Sequence, residues 1–317
     1  ADVLESLRGK HEIIDAILEY RKVAKLKSTY VDGLLKVVGR DGRIHSHFNQ
    51  TDTRTGRLSS TEPNLQNIPV RTELGSRLRA FFRAKDGYTL VDADYSQIEL
   101  RVLAHISGDE YMIEAFNSDA DIHTNTAAQV FNMPALYVTP EMRRKAKAVN
   151  FGIVYGIGAF SLSQDIGVSV AEADRYIKNY LDTFSGVKKY MEDTVTFAQE
   201  NGYIETLYGR RRALPEISSS NKNIVNFGKR VAMNTPIQGT AADIIKIAMI
   251  RVYRRLKKEQ LDARLILQVH DELIVEAPQH EVEQVKALLQ EEMQAAAKLK
   301  VLLKADVGTG KTWYDAK

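Results

Sequence analysis

Two apolar regions with the alternation of β-strands run directly into carboxylates and lie far apart in the chain. The first is Tyr88–Asp94, and the second is a tight pair, Arg264–Val269 and Leu273–Glu276, joined through His270-Asp271-Glu272. Between them, Asp109 to Phe197 is mostly helical by the spacing of its apolar residues. Strand and helix blocks interleaved in this way predict an α+β fold, and one sheet could bring the two acidic strand ends side by side.

The remaining elements are predicted from apolar period and from turn residues. A long amphipathic helix that needs a partner surface opens the chain, and a polar loop precedes the first acidic strand. The predicted elements are a helix over Lys10–Tyr30, short strands within Gly33–Phe48 around a Gly39–Gly42 turn, the loop Asn49–Arg71, a helix over Gln97–Ser107, a basic hairpin over Tyr203–Leu214, a helix over Asn234–Leu256 broken early by Gly239, and a helix over Glu281–Leu299.

Composition excludes several kinds of function. The 317 residues include no cysteine, which removes disulfides, iron–sulfur clusters and a thiol nucleophile, and leaves carboxylates or histidines as ligands for any metal. No apolar run approaches the roughly 20 residues of a membrane span, and no signal peptide is visible at the N-terminus. A cytoplasmic protein without a membrane segment, and a chain that is a fragment, are therefore expected.

Four residues spaced four apart, Arg143, Lys147, Phe151 and Tyr155, form one slowly turning stripe on a predicted helix. Two cations followed by two aromatic rings match a ligand that has phosphates at one end and a flat base at the other. The alternative is a helix whose aromatic residues are core and whose cations are solvated. Geometry of the stripe alone leaves these two interpretations about equally supported.

Asp94 and Asp271 each follow an apolar strand, and each taken alone is an ordinary turn acid. If one sheet places them together, clustered carboxylates without cysteine suit hard magnesium ions that are shared with substrate phosphates. A pair of such ions could drive an in-line phosphoryl displacement. The segment Thr55–Pro69 offers amides, hydroxyls and Arg57, as a surface following a sugar–phosphate backbone would, although composition fits a merely polar loop equally well.

Two phosphate-loop look-alikes are rejected on context. Gly308-Thr-Gly310-Lys311-Thr312 lacks the first glycine of the P-loop, and the chain leaves no room for its helix. Gly156-Ile-Gly158 follows a helix instead of a strand, so it is interpreted as a helix stop.

Taken together, these segments resemble the bacterial DNA polymerase I family (family A), and its Bacillus-type members in particular. The main motifs are Asp94-Tyr-Ser-Gln-Ile-Glu-Leu-Arg101, the helix Arg143–Gly156 and Gln268-Val-His-Asp-Glu272. Supporting segments are Thr55–Ser60, Asn64–Pro69, Asn234–Asp243 and the ending Trp313–Lys317. Three long motifs in the right order cover essentially the whole chain, so the resemblance is highly specific.

The resemblance implies a right-hand polymerase: an antiparallel palm sheet, a helical fingers subdomain and an N-terminal helix from the thumb. It implies that Asp94, Asp271 and the backbone carbonyl of Tyr95 bind two Mg²⁺ ions, with Mn²⁺ as a possible substitute, and that Glu272 supports them. Its catalytic residues would be Asp94, Asp271, Glu272 and Lys147, which perform two-metal phosphoryl transfer from deoxynucleoside triphosphates to a primer 3′-hydroxyl, releasing pyrophosphate.

For the nucleotide, the resemblance makes Arg143 and Lys147 a triphosphate clamp assisted by His123, while Phe151 packs on the incoming sugar and base. Tyr155 would stack at the template position. Glu99, beside Gln97, matches the steric gate that excludes a ribose 2′-hydroxyl. A phenylalanine at position 151 goes with rejection of dideoxynucleotides, and Phe151→Tyr is expected to relax that discrimination; unchanged incorporation ratios would contradict it.

Primer–template DNA would be held by residues that the resemblance places along its grooves and phosphates: Arg57, Asn64, Gln66, Asn67, Arg230, Asn234, Gln238 and His270. The implied division is 1–32 for the end of the thumb, 33–107 for the first part of the palm, 108–226 for the fingers and 227–317 for the second part of the palm. Most of the thumb and any exonuclease-like domain would lie outside this chain. Weak, salt-dependent DNA binding, poor processivity and no nuclease activity are expected of such a monomer.

Three functional classes remain open at this point. The first is a template-directed DNA polymerase acting in replication and repair. The second is a two-metal nuclease or other phosphohydrolase, which would explain neither the stripe nor the gate. The third is a catalytically weak fragment that binds primer–template or nucleotide and lacks the contacts needed to turn over.

Overall fold

The structure is a computed structural model that describes residues 2–70, 72–118 and 120–317. It is an α+β fold, as the sequence predicts. None of the helices in the described ranges combines the length and apolar content that a membrane crossing requires. Of the predicted polar loop, Arg71 lies outside the described residues.

The N-terminal region is helical for longer than predicted. After α1 (Asp2–Ser6), α2 (Glu12–Lys25) continues through a wide π-helical turn (Leu26–Asp32) into α3 (Gly33–Leu35). The predicted strands therefore begin later than Gly33, although the Gly39–Gly42 turn forms and Val38 bridges Ile44. The apolar residues of α2 remain accessible, with Ile13, Tyr20 and Val23 all exposed.

A four-stranded antiparallel sheet in the order β6–β7–β3–β8 carries the acidic strand ends. Its strands are β3 (Tyr88–Tyr95), β6 (Arg264–Val269), β7 (Glu272–Pro278) and β8 (Ala305–Gly310). Because side chains alternate along a strand, Val91 and Ala93 face the large core, while Leu90 belongs to a second cluster with Trp313. Strand β3 comes from the first third of the sequence, and the other three strands come from its last sixty residues.

Helices fill the middle of the chain, and their breaks fall where they are predicted. Gln97, in a left-handed conformation, precedes α5, Pro140 is the first residue of α8, and α8 ends just before Gly156. The helices are α4 (Glu73–Arg77), α5 (Ile98–Ser107), α6 (Glu110–Asn117), α7 (Ile122–Val130), α8 (Pro140–Val154), α9 (Ala159–Ile166), α10 (Val170–Thr183), α11 (Ser185–Asn201) and α13 (Val282–Gln294). Helix α13 ends before the predicted Leu299.

The prediction for the long second helix is wrong in two respects. Helix α12 runs from Lys222 to Lys258, so it starts earlier than Asn234, and it continues unbroken through Pro236 and Gly239. Asn221 caps its first turn. Gly239 serves close packing instead of a break, because a Cβ there would meet the Thr206 methyl at 2.5 Å and the Thr55 carbonyl at 3.2 Å.

Two small antiparallel pairs flank the large sheet. Strands β1 (His47–Asn49) and β2 (Ser59–Thr61) pair within the polar loop, and β4 (Tyr203–Glu205) and β5 (Arg211–Ala213) form the predicted basic hairpin. The segment Gly308–Gly310 is part of β8 and forms no phosphate loop, as predicted. The four-part division stays a prediction, and its 226/227 boundary would fall inside α12.

Candidate active site

The sheet brings Asp94 and the His270–Glu272 turn together at one edge. Asp94 pairs across the β3–β7 ladder with Glu272, and the Tyr95 amide donates to the Asp271 carbonyl at 3.1 Å. The Asp94 side chain is 43% exposed, so it faces a surface that a ligand can reach. Asp94 on β3 and Asp271 in the β6–β7 turn, which are distant in sequence, thus lie side by side, as their positions after apolar strands predict.

Both aspartates are in surroundings that disfavour an uncompensated negative charge. Burial, partly offset by the Lys317 ammonium, raises the pKa of Asp94 above its usual range. Burial and the nearby Glu99 carboxylate raise the pKa of Asp271 to about 7. Desolvated carboxylates that face one another are stabilised by a cation. A cation bound at this edge of the sheet would therefore favour the ionised form of both aspartates.

Glu272 is held from three sides and is not a free ligand. Its Oε1 accepts from the Trp313 indole at 2.5 Å and lies 3.5 Å from Arg79 Nη1, and its Oε2 lies 2.6 Å from Lys317 Nζ. Although burial opposes ionisation, Lys317 and Arg79 lower the pKa of Glu272 below its usual range. Glu272 is therefore an ionised carboxylate that is held in place by Trp313, Arg79 and Lys317.

Asp92 is a further buried acid at this edge that the sequence analysis missed. It lies two residues before Asp94 on the same face of β3, is 3% exposed, and neither carboxyl oxygen has a hydrogen-bond partner among the described residues. Burial and the Glu272 charge raise its pKa well above the usual range of a carboxyl. The alternation of side chains along a β-strand could have identified Asp92, because residues 92 and 94 of one strand must lie on the same face.

The donor atoms at this edge suit a hard divalent cation. Asp94 and Asp271 offer carboxylate oxygens, and the cysteine-free chain offers no thiolate, which fits Mg²⁺ better than Zn²⁺. Within the described ranges, no three histidine or acidic side chains converge as a ready ligand set. A cation would therefore be shared with oxygens from elsewhere, as magnesium commonly is with substrate phosphates.

A chain of hydrogen bonds crosses the cleft beside these acids. The buried Glu99 accepts from Arg57 Nη2 at 2.6 Å through Oε1 and from the Tyr155 hydroxyl at 3.0 Å through Oε2. Burial and the adjacent Glu99 raise the pKa of Tyr155 to about 12. Three predicted site residues, from the polar loop, α5 and the end of α8, are thereby joined in one network.

Helix α8 presents the predicted stripe. Arg143 and Lys147 are exposed, Phe151 is half-buried, and Tyr155 is 43% exposed at the C-terminal end of the helix. The aromatic residues are therefore not simply core, which favours the ligand-binding interpretation of the stripe. Arg143 is held by Asp121, with Nε 2.5 Å from Oδ2 and Nη2 3.2 Å from Oδ1.

His123 on α7 lies against the same stripe, with its ring centroid 5.9 Å from that of Phe151. The Thr126 hydroxyl donates to Asn150 Oδ1 at 3.0 Å, and Asn150 Nδ2 lies 2.9 Å from His123 Nδ1. Because that amide nitrogen can only donate, Nδ1 accepts and the imidazole proton sits on Nε2. Burial lowers the pKa of His123 to about 4, so the ring is neutral at pH 7.

The predicted DNA contacts fall into two groups. One surrounds the β6–β7 turn: Gln66 Nε2 donates to the Gln268 carbonyl at 3.3 Å, and Gln268 Nε2 donates to the His270 carbonyl at 2.5 Å. Nearby, Asn64 Oδ1 accepts from the Gln66 amide, and the Tyr30 hydroxyl donates to the Asn67 carbonyl.

The second group lies on α12 beside the end of α8. Asn234 Nδ2 donates to the Val154 carbonyl at 3.4 Å, and Arg230 packs by Gly156, where a Cβ would come within 3.0 Å of its Cγ. Gln97 lies between strand β3 and helix α5, with its side-chain oxygen buried and unbonded among the described residues. No hydrogen bond or ion pair in the described ranges connects Arg143, Lys147 or His123 to the acidic edge.

Comparison with known proteins decides the family. Residues 1–315 match the sequence profile of DNA polymerase family A. The chain belongs to that family. It is 57% identical over 319 residues to DNA polymerase I of Bacillus subtilis and 55% identical over 319 residues to DNA polymerase I of Geobacillus stearothermophilus. All of this chain is covered in both cases, but it spans only 36% of each relative.

A solved family A structure has the same fold. The POL domain of Pol1 from M. smegmatis, in complex with DNA primer-template and dNTP, superposes with a TM-score of 0.95 at 48% sequence identity. The match covers 100% of this chain and 56% of that one. The Bacillus-type resemblance and the α+β fold of a polymerase domain are thus confirmed.

Proposed function

We propose that this family A chain is a DNA-directed DNA polymerase that adds deoxynucleotides to a primer 3′-hydroxyl and releases pyrophosphate. The observation that carries the proposal is the acidic edge at Asp94 and Asp271, with the nearby Glu99 carboxylate bonded to Tyr155 at the aromatic end of the cationic stripe on α8. A nuclease needs the acids alone, whereas a polymerase also needs a place for a nucleoside triphosphate. The relatives are named DNA polymerase I, which supports the same choice.

Asp94, Asp271 and the Tyr95 carbonyl would hold two Mg²⁺ ions, or Mn²⁺ in their place, with Glu272 supporting Asp94 from behind. When bound, such ions activate the primer hydroxyl and stabilise the departing pyrophosphate. The protein's own contribution is to position these groups. The β3–β7 ladder fixes Asp94, and the Tyr95 amide holds the Asp271 carbonyl. The Trp313, Arg79 and Lys317 contacts fix Glu272.

Arg143, Lys147 and His123 would bind the triphosphate. The two exposed cations supply charge, and Lys147 would stabilise the charge that develops on the leaving phosphates. Neutral His123 keeps its proton on Nε2, so it can donate one hydrogen bond to a phosphate oxygen without adding charge. Phe151, beside the His123 ring, would pack on the sugar and base of the nucleotide.

Glu99 would exclude ribonucleotides as a fixed wall. Both of its oxygens are already bonded, by Arg57 and Tyr155, so the carboxylate cannot swing aside at little cost to admit a 2′-hydroxyl. Gln97 lies beside it at the start of α5. Tyr155 would stack at the template position.

Primer and template would lie along the two groups of polar residues. Asn64, Gln66, Asn67 and His270 surround the β6–β7 turn, Arg230, Asn234 and Gln238 lie on α12, and Arg57 bonds Glu99. We propose that the chain acts as a monomer in the bacterial cytoplasm, in replication and repair; the name DNA polymerase I of its bacterial relatives supports a role in DNA synthesis.

The test is primer extension at low salt with a recessed primer, Mg²⁺ and four deoxynucleotides. The wild-type chain should give templated products, Asp271→Ala should give none, and Asp174→Ala, which removes an exposed carboxyl on α10, should match wild type. Degradation of the primer without extension would instead indicate a nuclease. Nucleotide binding by a folded chain that extends nothing would indicate a binding fragment.

A further inference from the structure

The Lys317 ammonium group lies between two acids of the candidate site, 2.6 Å from Glu272 Oε2 and 3.5 Å from Asp94 Oδ2. We propose that Lys317 is a positioning residue that holds these carboxylates together before a divalent cation binds, and that it yields Asp94 to that cation. The proposal rests on the metal-binding role of Asp94 proposed above. It assigns a task to a residue that the polymerase mechanism does not use.

The two contacts of Lys317 differ in a way that permits exchange. Glu272 is buried and is also bonded by Trp313 and Arg79, so it remains fixed when a ligand arrives. Asp94 is farther from the ammonium and is partly exposed. Lys317 can therefore keep its shorter bond to Glu272 while Asp94 turns to a new partner.

The balance of charge explains why a cation is needed there. Asp92, Asp94 and Glu272 lie close together on one face, and Asp306 is paired with Asp94 across the β3–β8 ladder. Arg79 is committed to Glu272 and is stacked 3.9 Å above the Trp313 ring. Among the described residues, Lys317 is the cation that forms an ion pair with Asp94.

The chain segment that carries Lys317 is firmly placed. The Trp313 amide donates to the Phe82 carbonyl at 2.9 Å, and the two rings pack edge to face with centroids 5.6 Å apart. Gly308 and Gly310 let the segment lie directly on β8, since a Cβ at Gly308 would be 2.1 Å from the Ala316 carbonyl. The ammonium is thus delivered to the acids by packing, unlike a mobile surface lysine.

This arrangement predicts competition between Lys317 and a divalent cation for Asp94. Replacing Lys317 by methionine keeps an unbranched side chain that is one atom shorter and removes the positive charge. A purely structural lysine would leave metal affinity unchanged or weaken it, because its loss would disorder the site. Tighter metal binding by the Lys317→Met variant would distinguish a lysine that competes with the cation for Asp94 from a lysine with a purely structural role.

The experiment is a titration of the full chain with Mn²⁺, without DNA or nucleotide, followed by the EPR signal of the free ion at pH 8. Lys317→Met is expected to lower the Kd by roughly fivefold, as removal of one nearby screened positive charge would. Lys317→Arg retains the charge and should stay within about twofold of wild type, the same range expected for Lys311→Met. Lys311 is the matched control because its ammonium faces the exposed Asp86 instead.

An unchanged or weaker Mn²⁺ affinity in folded Lys317→Met overturns the proposal, and circular dichroism establishes folding before each titration. If the methionine variant does not fold, Lys317→Gln is tested against the same two outcomes. The variant Asp94→Asn tests the proposed metal-binding role of Asp94 separately from the proposed role of Lys317. If Asp94→Asn binds Mn²⁺ as tightly as wild type, the metal site itself is misassigned; if it does not, the Lys317 result stands on its own.

Discussion

At the scale of single residues, His123 links buried polar packing to a measurable pH dependence. Its pKa falls from an ordinary 6.5 to about 4 in the folded chain because the ring is buried. Between these values the unfolded chain binds a proton that the folded chain does not, so His123 lowers stability as the pH falls from about 6.5 towards 4. The loss should reach about 1 to 2 kcal/mol at pH 5.

Urea unfolding of wild type and His123→Gln at pH 7 and pH 5 measures this effect. Other groups titrate in both proteins, so the quantity of interest is the difference between their two pH responses. Wild type should lose more stability than the variant. Parallel losses would show that the ring is protonated in the folded chain as readily as in the unfolded one.

Glu99 is predicted to determine sugar selection. Glu99→Ala should raise ribonucleotide incorporation relative to deoxynucleotide incorporation by roughly tenfold or more, because a fixed carboxylate wall is removed. Tyr155→Phe is the matched control, since it removes one bond to Glu99 and leaves the carboxylate and its Arg57 contact in place. Single-nucleotide insertion kinetics give the ratio. Equal ratios in wild type and Glu99→Ala would remove Glu99 from the gate.

At the scale of secondary-structure elements, Gly239 controls how closely α12 approaches the hairpin and the polar loop. Gly239→Ala should destabilise the fold by about 1 to 3 kcal/mol, because the added methyl meets Thr206 and the Thr55 carbonyl. Gly158→Ala serves as the control, because a Cβ at Gly158 would meet nothing within 4 Å. Gly209→Ala is unsuitable as a control because Gly209 has a positive φ, which strains any residue with a side chain. Thermal melts compare the three proteins. Equal melting temperatures would mean that the elements separate freely.

The same glycine shows what sequence alone could and could not predict. Strand β3 and the β6–β7 pair followed from alternation, and the carboxylates at their ends followed from the strands. Helix α12 was mispredicted because glycine and proline have unfavourable helix propensities. Packing along the helix outweighs the cost of Pro236 and Gly239. Local propensity carries no information about the surface that a helix will meet.

For the candidate site, the stripe on α8 and the meeting of Asp94 with Asp271 were predictable, but the surroundings of Glu272 were not. Lys317, Arg79 and Trp313 converge on Glu272 only after the C-terminal segment packs against β8. No spacing in the sequence encodes that meeting. The protonation state of His123 could not be predicted from the sequence either, because it depends on contacts with Asn150 of α8 and Thr126 of α7.

At the scale of the whole molecule, the proposed DNA binding would depend on how charge is distributed. The formal net charge is only +3, so attraction to DNA would come from local cations such as Arg230 and those of the basic hairpin. Primer–template affinity should fall at least about tenfold between 50 and 200 mM salt, as expected when even two or so phosphates are neutralised. Fluorescence anisotropy with labelled primer–template measures it. A flat salt response would argue against phosphate contacts.

The β3–β7 pairing also has a temporal consequence. More than half of the chain separates Asp94 from Asp271, and ribosomes add roughly 5 to 20 residues per second. The first aspartate therefore exists on the order of ten seconds before its partner is synthesised. Long-range strand pairs also form late in folding, after local helices. A nascent chain consequently has no assembled acidic pair with which to capture metal or nucleotide, and the proposed catalytic site is complete only after β7 has paired with β3.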